Sequence, residues 1–360
     1  MDNKSKEFLF KYLNNASPVG YEAKGQQIWL EYLQPYIDTK LTDMYGNAVG
    51  VINPKNPYKV VIAAHADEIS WRISHINDKG YIYVTTNGGV DCEIAPSMRV
   101  RIHVGDETVP AIFGWPAIHT RRDREKEEQI KPKIETVVLD CGCHSKEEVE
   151  EMGIHVGCVV TPEADLIEFN KSYLVGRALD NRIGGFMIAE VTRRLHERKA
   201  QLPFGLYIVN TVQEEVGLKG AAMSARRLQP DLAIVTDVTH DTQSPHYNKI
   251  KEGDIACGKG PVLSYAASVQ NNVRDMLVKV AQQSKMPFQR QAGTSRGTST
   301  DTDAFAYADT GIASALISLP LKYMHTTVEM VHKEDVEQIT ELFYQFLTQL
   351  DPNHSFSYFQ

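Results

Sequence analysis

Histidines and carboxylates stand just past the ends of short apolar runs, and this arrangement restricts the chain more than any other feature. His65 and Asp67 follow the run 59–64, Glu214 and Glu215 follow 205–212, and Asp237 follows 232–236. His325 lies a few residues beyond the run 312–319. Runs of this length, bounded by turn residues, read as buried strands. In an open α/β sheet, functional groups collect outside the carboxyl ends of the strands. Repeated along one chain, the coincidence points to a single crevice lined by imidazole and carboxylate, which is the chemistry of a metal site.

The rest of the chain supplies what such a sheet needs. Residues 5–15 place Phe8, Leu9, Tyr12 and Leu13 on one helical face, and the segment from Ser17 to Gly20 breaks that helix. Gln26 to Leu33, Asn181 to Arg198, Leu218 to Leu228, Arg274 to Ser284, Ala304 to Ala308 and Glu334 to Leu350 also read as helices. Strands alternating with helices predict a doubly wound α/β fold with a mixed, mainly parallel sheet flanked by helices. Between about 70 and 165 the texture changes to short β-like stretches (71–76, 81–85, 99–104, 137–139) separated by Gly, Asn and Asp turns. This predicts a small β-barrel-like domain, 70–165, inserted into a catalytic domain made of 1–69 and 166–360. The polar stretch 121–129 reads as a solvated loop.

Composition narrows the function classes. A formal net charge of -8 argues against nucleic acid as a partner, since phosphate binding needs a basic surface. No apolar run is long enough to span a membrane. The first residues carry charges without a following apolar stretch, so no secretory signal is expected. Five cysteines, an odd and sparse set, suit free thiols in a reducing compartment, hence cytoplasm.

Each candidate residue has a chemical reason. His65 and Asp67 are spaced to point the same way from a strand, so Asp67 can take the second ring N–H of His65 and fix its tautomer. Asp180 stands where a loop enters a helix, a place also suited to an N-cap, but Gly184 and Gly185 one turn later suggest close approach of backbone to something. Glu214 and Glu215 are adjacent carboxylates whose burial is costly without nearby positive charge. One of them can bind metal while the other serves as general base. With His65, Asp180, Glu215, Asp237 and His325 as ligands, three carboxylates face two divalent cations. The residual positive charge favours a bridging hydroxide. Ligands without Cys point to Zn, Co or Mn. Two other motifs read as incidental. Cys141-Gly-Cys143-His144 lacks the usual zinc spacing and reads as a buried β segment with inert thiols, and Gly293-Thr-Ser-Arg-Gly297 lacks the ending of a phosphate loop.

Several of these segments together resemble the tetrahedral aminopeptidase family of dinuclear metallopeptidases. The matching stretches are Ser17-Pro-Val-Gly-Tyr-Glu22, Asp43-Met-Tyr-Gly-Asn47, Ala64-His-Ala-Asp-Glu-Ile69 and Gly176-Arg-Ala-Leu-Asp-Asn-Arg182. Gln213-Glu-Glu-Val-Gly217, Thr236-Asp-Val238 and Ile317-Ser-Leu-Pro-Leu-Lys-Tyr-Met-His325 complete them. The likeness runs from about 5 to 350, with Ser70 and Asp301 standing where the family pattern has glycine. It implies one metal held by His65 and Asp237, a second by Glu215 and His325, and Asp180 bridging them. Glu214 would then be the general base and Asp67 the partner that orients His65. It further implies short peptides as substrates and a homo-oligomer, a tetrahedral dodecamer of dimers. The inserted β domain would then make the dimer contacts, and the loop around 120–132 would reach toward a neighbouring subunit. A basic residue such as Arg296 would suit acidic side chains of a substrate. Two other readings are a glycosidase, in keeping with the endoglucanase label some family members carry, and a non-catalytic oligomeric scaffold braced by metal.

Overall fold

The computed structural model describes residues 1–121, 131–294 and 297–359. It divides into two compact units: Met1–Glu68 with Asp165–Met324 and Val328–Gln360, and Ile69–Ala164 with His325–Thr327. The stretch 122–130 and Arg296, for which loop and selectivity roles are expected, lie outside the described residues.

The first unit is built on an eleven-stranded mixed sheet among the described residues. Its centre is parallel: the strand Gly205–Thr211 pairs with Lys59–His65, that with Leu232–His240, and that with Ala313–Lys322. Antiparallel strands complete both sides, Thr39–Thr42 and Ala48–Ile52 at one edge, Glu329–His332, Tyr173–Gly176 and Ile167–Phe169 at the other. The central strands are apolar without alternation because both faces are covered, and Val60 through Ala64, Leu206, Ile208 and Val209 have no accessible surface. The helices Leu179–Glu197, Lys219–Leu228, Asn271–Gln283 and Lys333–Gln349 pack on these strands through apolar stripes at helical spacing. Trp29 is fully buried and donates its indole N–H to the Gly185 carbonyl at 2.8 Å, so the helix Ala23–Leu33 is held against Leu179–Glu197 by packing and a satisfied polar edge.

The register of the central strands creates the crevice. Lys59–His65 and Leu232–His240 pair only as far as Ala63 and Val235, then separate. His65 and Asp237 each stand two residues past that last pair, side by side at the carboxyl edge. Thr211 pairs with His65, so Glu214 and Glu215 leave the sheet at the same level.

Among the described residues, the second unit is a closed six-stranded antiparallel barrel, in the order Ser70–Ile76, Ile82–Asn87, Val138–Asp140, Glu107–Gly114, Arg99–Val104, Val159–Pro162. Trp71, Ile73, Ile82, Val84, Val100, Ile102, Ala111 and Phe113 fill it at period two. A register shift between Ile73 and His75 breaks that period and brings Ile76 inward. Cys141 and Cys143 do not form a buried β segment as expected. They lie half-exposed in a turn beyond Val138–Asp140, because Gly142 takes positive φ (84°) and Asp140 Oδ1 accepts its N–H at 2.8 Å, which ends the strand.

Candidate metal centre

His65 is 2% exposed, and its two ring nitrogens face different partners. Nδ1 lies 3.2 Å from the Asp67 carbonyl oxygen and 3.4 Å from Asp67 Oδ1. A ring N–H donated there makes Nε2 the acceptor end, the form a metal ligand requires. Nε2 lies 3.3 Å from Asp180 Oδ1, 3.9 Å from Glu214 Oε2 and 3.9 Å from Asp237 Oδ1.

Asp67 has a further role that strand spacing does not reveal. Its Oδ1 accepts the Glu214 N–H at 3.0 Å and its Oδ2 the Glu215 N–H at 3.1 Å. The fully buried carboxylate therefore clamps the turn that carries both glutamates. These two residues lie beyond the strand, so strand alternation does not set their directions. Instead both reach His65: one donor atom each from His65, Asp180 and Glu215 lie within 4.8 Å of one another, and so do those of His65, Glu214 and Asp237. Gly220 after them serves packing, since a Cβ there would stand 2.4 Å from the Val212 carbonyl oxygen.

Asp180 is not a helix cap. The helix Leu179–Glu197 is capped by Ala178 in left-handed conformation, and Asp180 and Asn181, joined by a cis peptide bond, depart from helical angles. The Asp180 N–H donates to Glu329 Oε2 at 3.0 Å, and the Asn181 side-chain amide donates to the Thr236 carbonyl at 2.8 Å, beside Asp237. Gly184 is what allows this: a Cβ there would sit 2.3 Å from Asn181 Oδ1.

His325 lies in the second unit, at φ 61°, with Nδ1 3.0 Å from the Gly89 carbonyl oxygen. That contact makes Nε2 the acceptor nitrogen of its ring. It is in neither of the donor groups formed around His65.

Three further acidic residues surround the centre, none of them given a site role from sequence. Glu22 accepts the backbone N–H groups of Gly20 at 2.8 Å and Gln213 at 3.2 Å. Burial, with the charge of Asp67, pushes it up to about 7. Glu329 holds Asp180 as described. Asp301, 1% exposed, accepts the Thr211 hydroxyl on Oδ2, while its Oδ1 has no hydrogen-bond partner among the described residues. The Ser-Pro-Val-Gly-Tyr-Glu motif could have flagged Glu22, and the unusual Asp in a glycine position could have flagged Asp301.

This electrostatic environment tests whether cations fit. Desolvation raises Glu214 to about 10 against the attraction of His65, with Asp237, Asp301 and Glu215 adding repulsion. Desolvation also holds Asp237 well above the ordinary carboxylate range, and Asp301 rises to about 6. Burial opposes charging of His65, yet Asp180 and Asp67 keep its pKa well above the usual imidazole value. Crowded, desolvated carboxylates with an orphaned oxygen lack positive charge, and divalent ions would supply it. The donor set, imidazole and carboxylate without thiolate, suits such ions.

Imidazole and carboxylates gathered at the carboxyl edge of a mixed α/β sheet suit a metal-dependent hydrolase. Comparison with known proteins makes the assignment narrower. Residues 46–342 match the model of the M42 glutamyl aminopeptidase family. A lysyl aminopeptidase of Pyrococcus furiosus is 30% identical over 96% of this chain and 97% of its own. Among solved structures, a TET aminopeptidase from a marine sediment Thaumarchaeota archaeon superimposes with TM-score 0.90 at 28% identity, covering 97% of each chain. The TET1 peptidase of Pyrococcus horikoshii, which assembles into a tetrahedron or a large octahedral shell, gives TM-score 0.83 at 25% identity, over 96% of this chain and 100% of that one. The chain belongs to the M42 glutamyl aminopeptidase family and is a hydrolase of peptide bonds, an aminopeptidase. The likeness to an endoglucanase from Thermotoga maritima, at 23% identity, is one of fold and gives the glycosidase reading no support.

Proposed function

We propose that this aminopeptidase trims N-terminal residues from short peptides with two divalent ions held by His65, Asp180, Glu215 and Asp237. His325 joins the ligand set on the family resemblance alone. The observation that carries the reading is the convergence of buried carboxylates on His65 Nε2, from three separate segments of the chain. When bound, the ions supply Lewis acidity and acidify water toward neutrality. The protein's own groups do the rest. Glu214 is the proton carrier: it takes a proton from the attacking water and returns it to the departing amine. Its affinity for a proton, raised by burial, suits the first half of that cycle, and the ions, when bound, would keep it ionised until then. Asp67 keeps Glu214 and Glu215 at fixed height and holds the His65 tautomer.

Zinc, cobalt and manganese all suit the donors, and zinc is the expected ion. The TET neighbours support a homo-oligomer, for which we propose the tetrahedral dodecamer, with the barrel unit making the dimer contacts. The five free cysteines support a cytoplasmic location. Among the described residues, no helix is long and apolar enough to cross a membrane. The test is to assay aminoacyl-arylamides after prolonged chelation, then after adding Zn, Co or Mn. Activity is expected to vanish and return. Full activity in metal-free protein would overturn the proposal.

A further inference from the structure

A second cluster of metal-binding atoms lies in the barrel unit. Cys141 Sγ and Cys143 Sγ are 3.7 Å apart, and Cys143 Sγ is 3.4 Å from Met152 Sδ. We propose that Cys141, Cys143 and Met152 form a binding site for a soft monovalent cation of the copper(I) class.

Spacing is the first argument. Two sulfurs sharing one metal at about 2.3 Å stand roughly 3.8–4.0 Å apart, the upper figure for a three-coordinate ion. The thiols here already have that separation, whereas a disulfide requires a closure to about 2.05 Å. Rigidity is the second. Asp140 Oδ1 accepts the Gly142 N–H, Glu148 Oε2 accepts the His144 N–H at 2.7 Å, and Ser145 caps the helix Lys146–Glu151 at whose end Met152 stands. On the other side Gly80 packs so closely that a Cβ would lie 2.8 Å from the Cys143 carbonyl oxygen. The loop is therefore held from both ends before any ion binds. Access is the third. Both cysteines are half-exposed, Met152 is 41% exposed, and open space lies over the α-carbon of Gly142.

The donor set selects the ion. Two thiolates and a thioether are soft ligands that favour copper(I). Structural zinc needs four ligands. Among the described residues, no group of three His, Cys, Asp or Glu donors gathers at these cysteines. Burial and the neighbouring Cys143 push the Cys141 thiol up to about 11, so Cys141 is a weak nucleophile at neutral pH. Binding then balances as one monovalent cation taken up and two thiol protons released, leaving a site of net charge −1.

The test uses the full-length protein, with its catalytic centre first saturated with zinc. Copper(I) is titrated anaerobically in competition with a chromophoric copper(I) chelator. One competed equivalent per chain is expected, with near-ultraviolet thiolate-to-copper absorption. Cys141→Ser with Cys143→Ser should abolish both, and Met152→Leu should weaken binding at least tenfold while peptidase activity stays unchanged. Alkylation mapped by mass spectrometry needs no variant: copper(I) should protect Cys141 and Cys143 but not Cys92 or Cys257. No competed equivalent in the wild type, or the same equivalent in the double serine variant, would overturn the proposal. So would resistance of both cysteines to alkylation without copper, relieved only by a reductant, which would mean a disulfide.

Discussion

The clamp made by Asp67 is the feature whose removal has the most calculable consequence. In Asp67→Asn the side chain keeps its shape, but one accepting oxygen becomes an NH2 group facing the N–H of Glu214 or Glu215. One charge-assisted hydrogen bond is lost, at about 1.5–3 kcal/mol, and the other becomes neutral and roughly half as strong. Part of this returns, because Asp67 repels both Glu22 and Asp301. The net loss of stability in metal-free protein is expected to be about 2–3 kcal/mol, seen as a lower urea midpoint at unchanged slope. A partner that orients a metal-binding histidine is also worth about 10–100-fold in affinity. Calorimetric titration of chelator-treated protein with zinc should therefore show that weakening for Asp67→Asn. Unchanged zinc affinity together with an unchanged urea midpoint would refute the reasoning, since it would mean that neither the glutamate turn nor the His65 tautomer depends on this carboxylate.

Other outcomes follow from the same centre. Glu214→Gln is expected to retain metal but lose about two to four decades of turnover, and parental cleavage of aminoacyl-arylamides would remove Glu214 from its role. Asp301 has a folded pKa of about 6 against an ordinary value of 3.8, so its ionisation weakens the metal-free fold as pH rises through that interval. The full penalty, on the order of 3 kcal/mol, stands above pH 6 and disappears below 4. Chelator-treated Asp301→Asn should thus unfold at higher urea than wild type at pH 7.5, with the gap closing toward pH 4.5, and a pH-independent gap would contradict this origin. Gly184→Ala places a methyl group 2.3 Å from Asn181 Oδ1, which must displace Asp180 with it. Zinc affinity should fall at least tenfold although no ligand is altered, and a crystal structure of the variant with Asn181 in place would count against that coupling.

Much of the fold can be read in the residues themselves, because its signals are local. Phe8, Leu9, Tyr12 and Leu13 repeat at helical spacing in Asn3–Asn14, and Val60 to Ala64 form an uninterrupted apolar run in a central strand. Four of the six barrel strands were legible as short β-like stretches, but Glu107–Gly114 and Val159–Pro162 were not, and neither was the shift at Ile73 and His75, since a bulge depends on the partner strand. Strand ends likewise marked His65, Asp237 and the two glutamates, because side chains at the carboxyl edge of a parallel sheet have no partner strand beyond them. By spacing alone Asp180 was visible only as an acid near a helix start, and its setting depends on Asn181 reaching the Thr236 carbonyl, 55 residues away.

What the sequence by itself determined was the list of elements, their order and the residues presented at their ends. Those follow from hydrophobic period and turn chemistry, which act over a few neighbours. The tertiary structure alone decided which of those residues meet. The separation of two strands after Ala63 and Val235 opens the crevice, and Asp67 reaches across it to the backbone of Glu214 and Glu215. Asp301 arrives from a helix 90 residues beyond Thr211. Register and long-range hydrogen bonds depend on the whole packed sheet, so no window of the chain contains them.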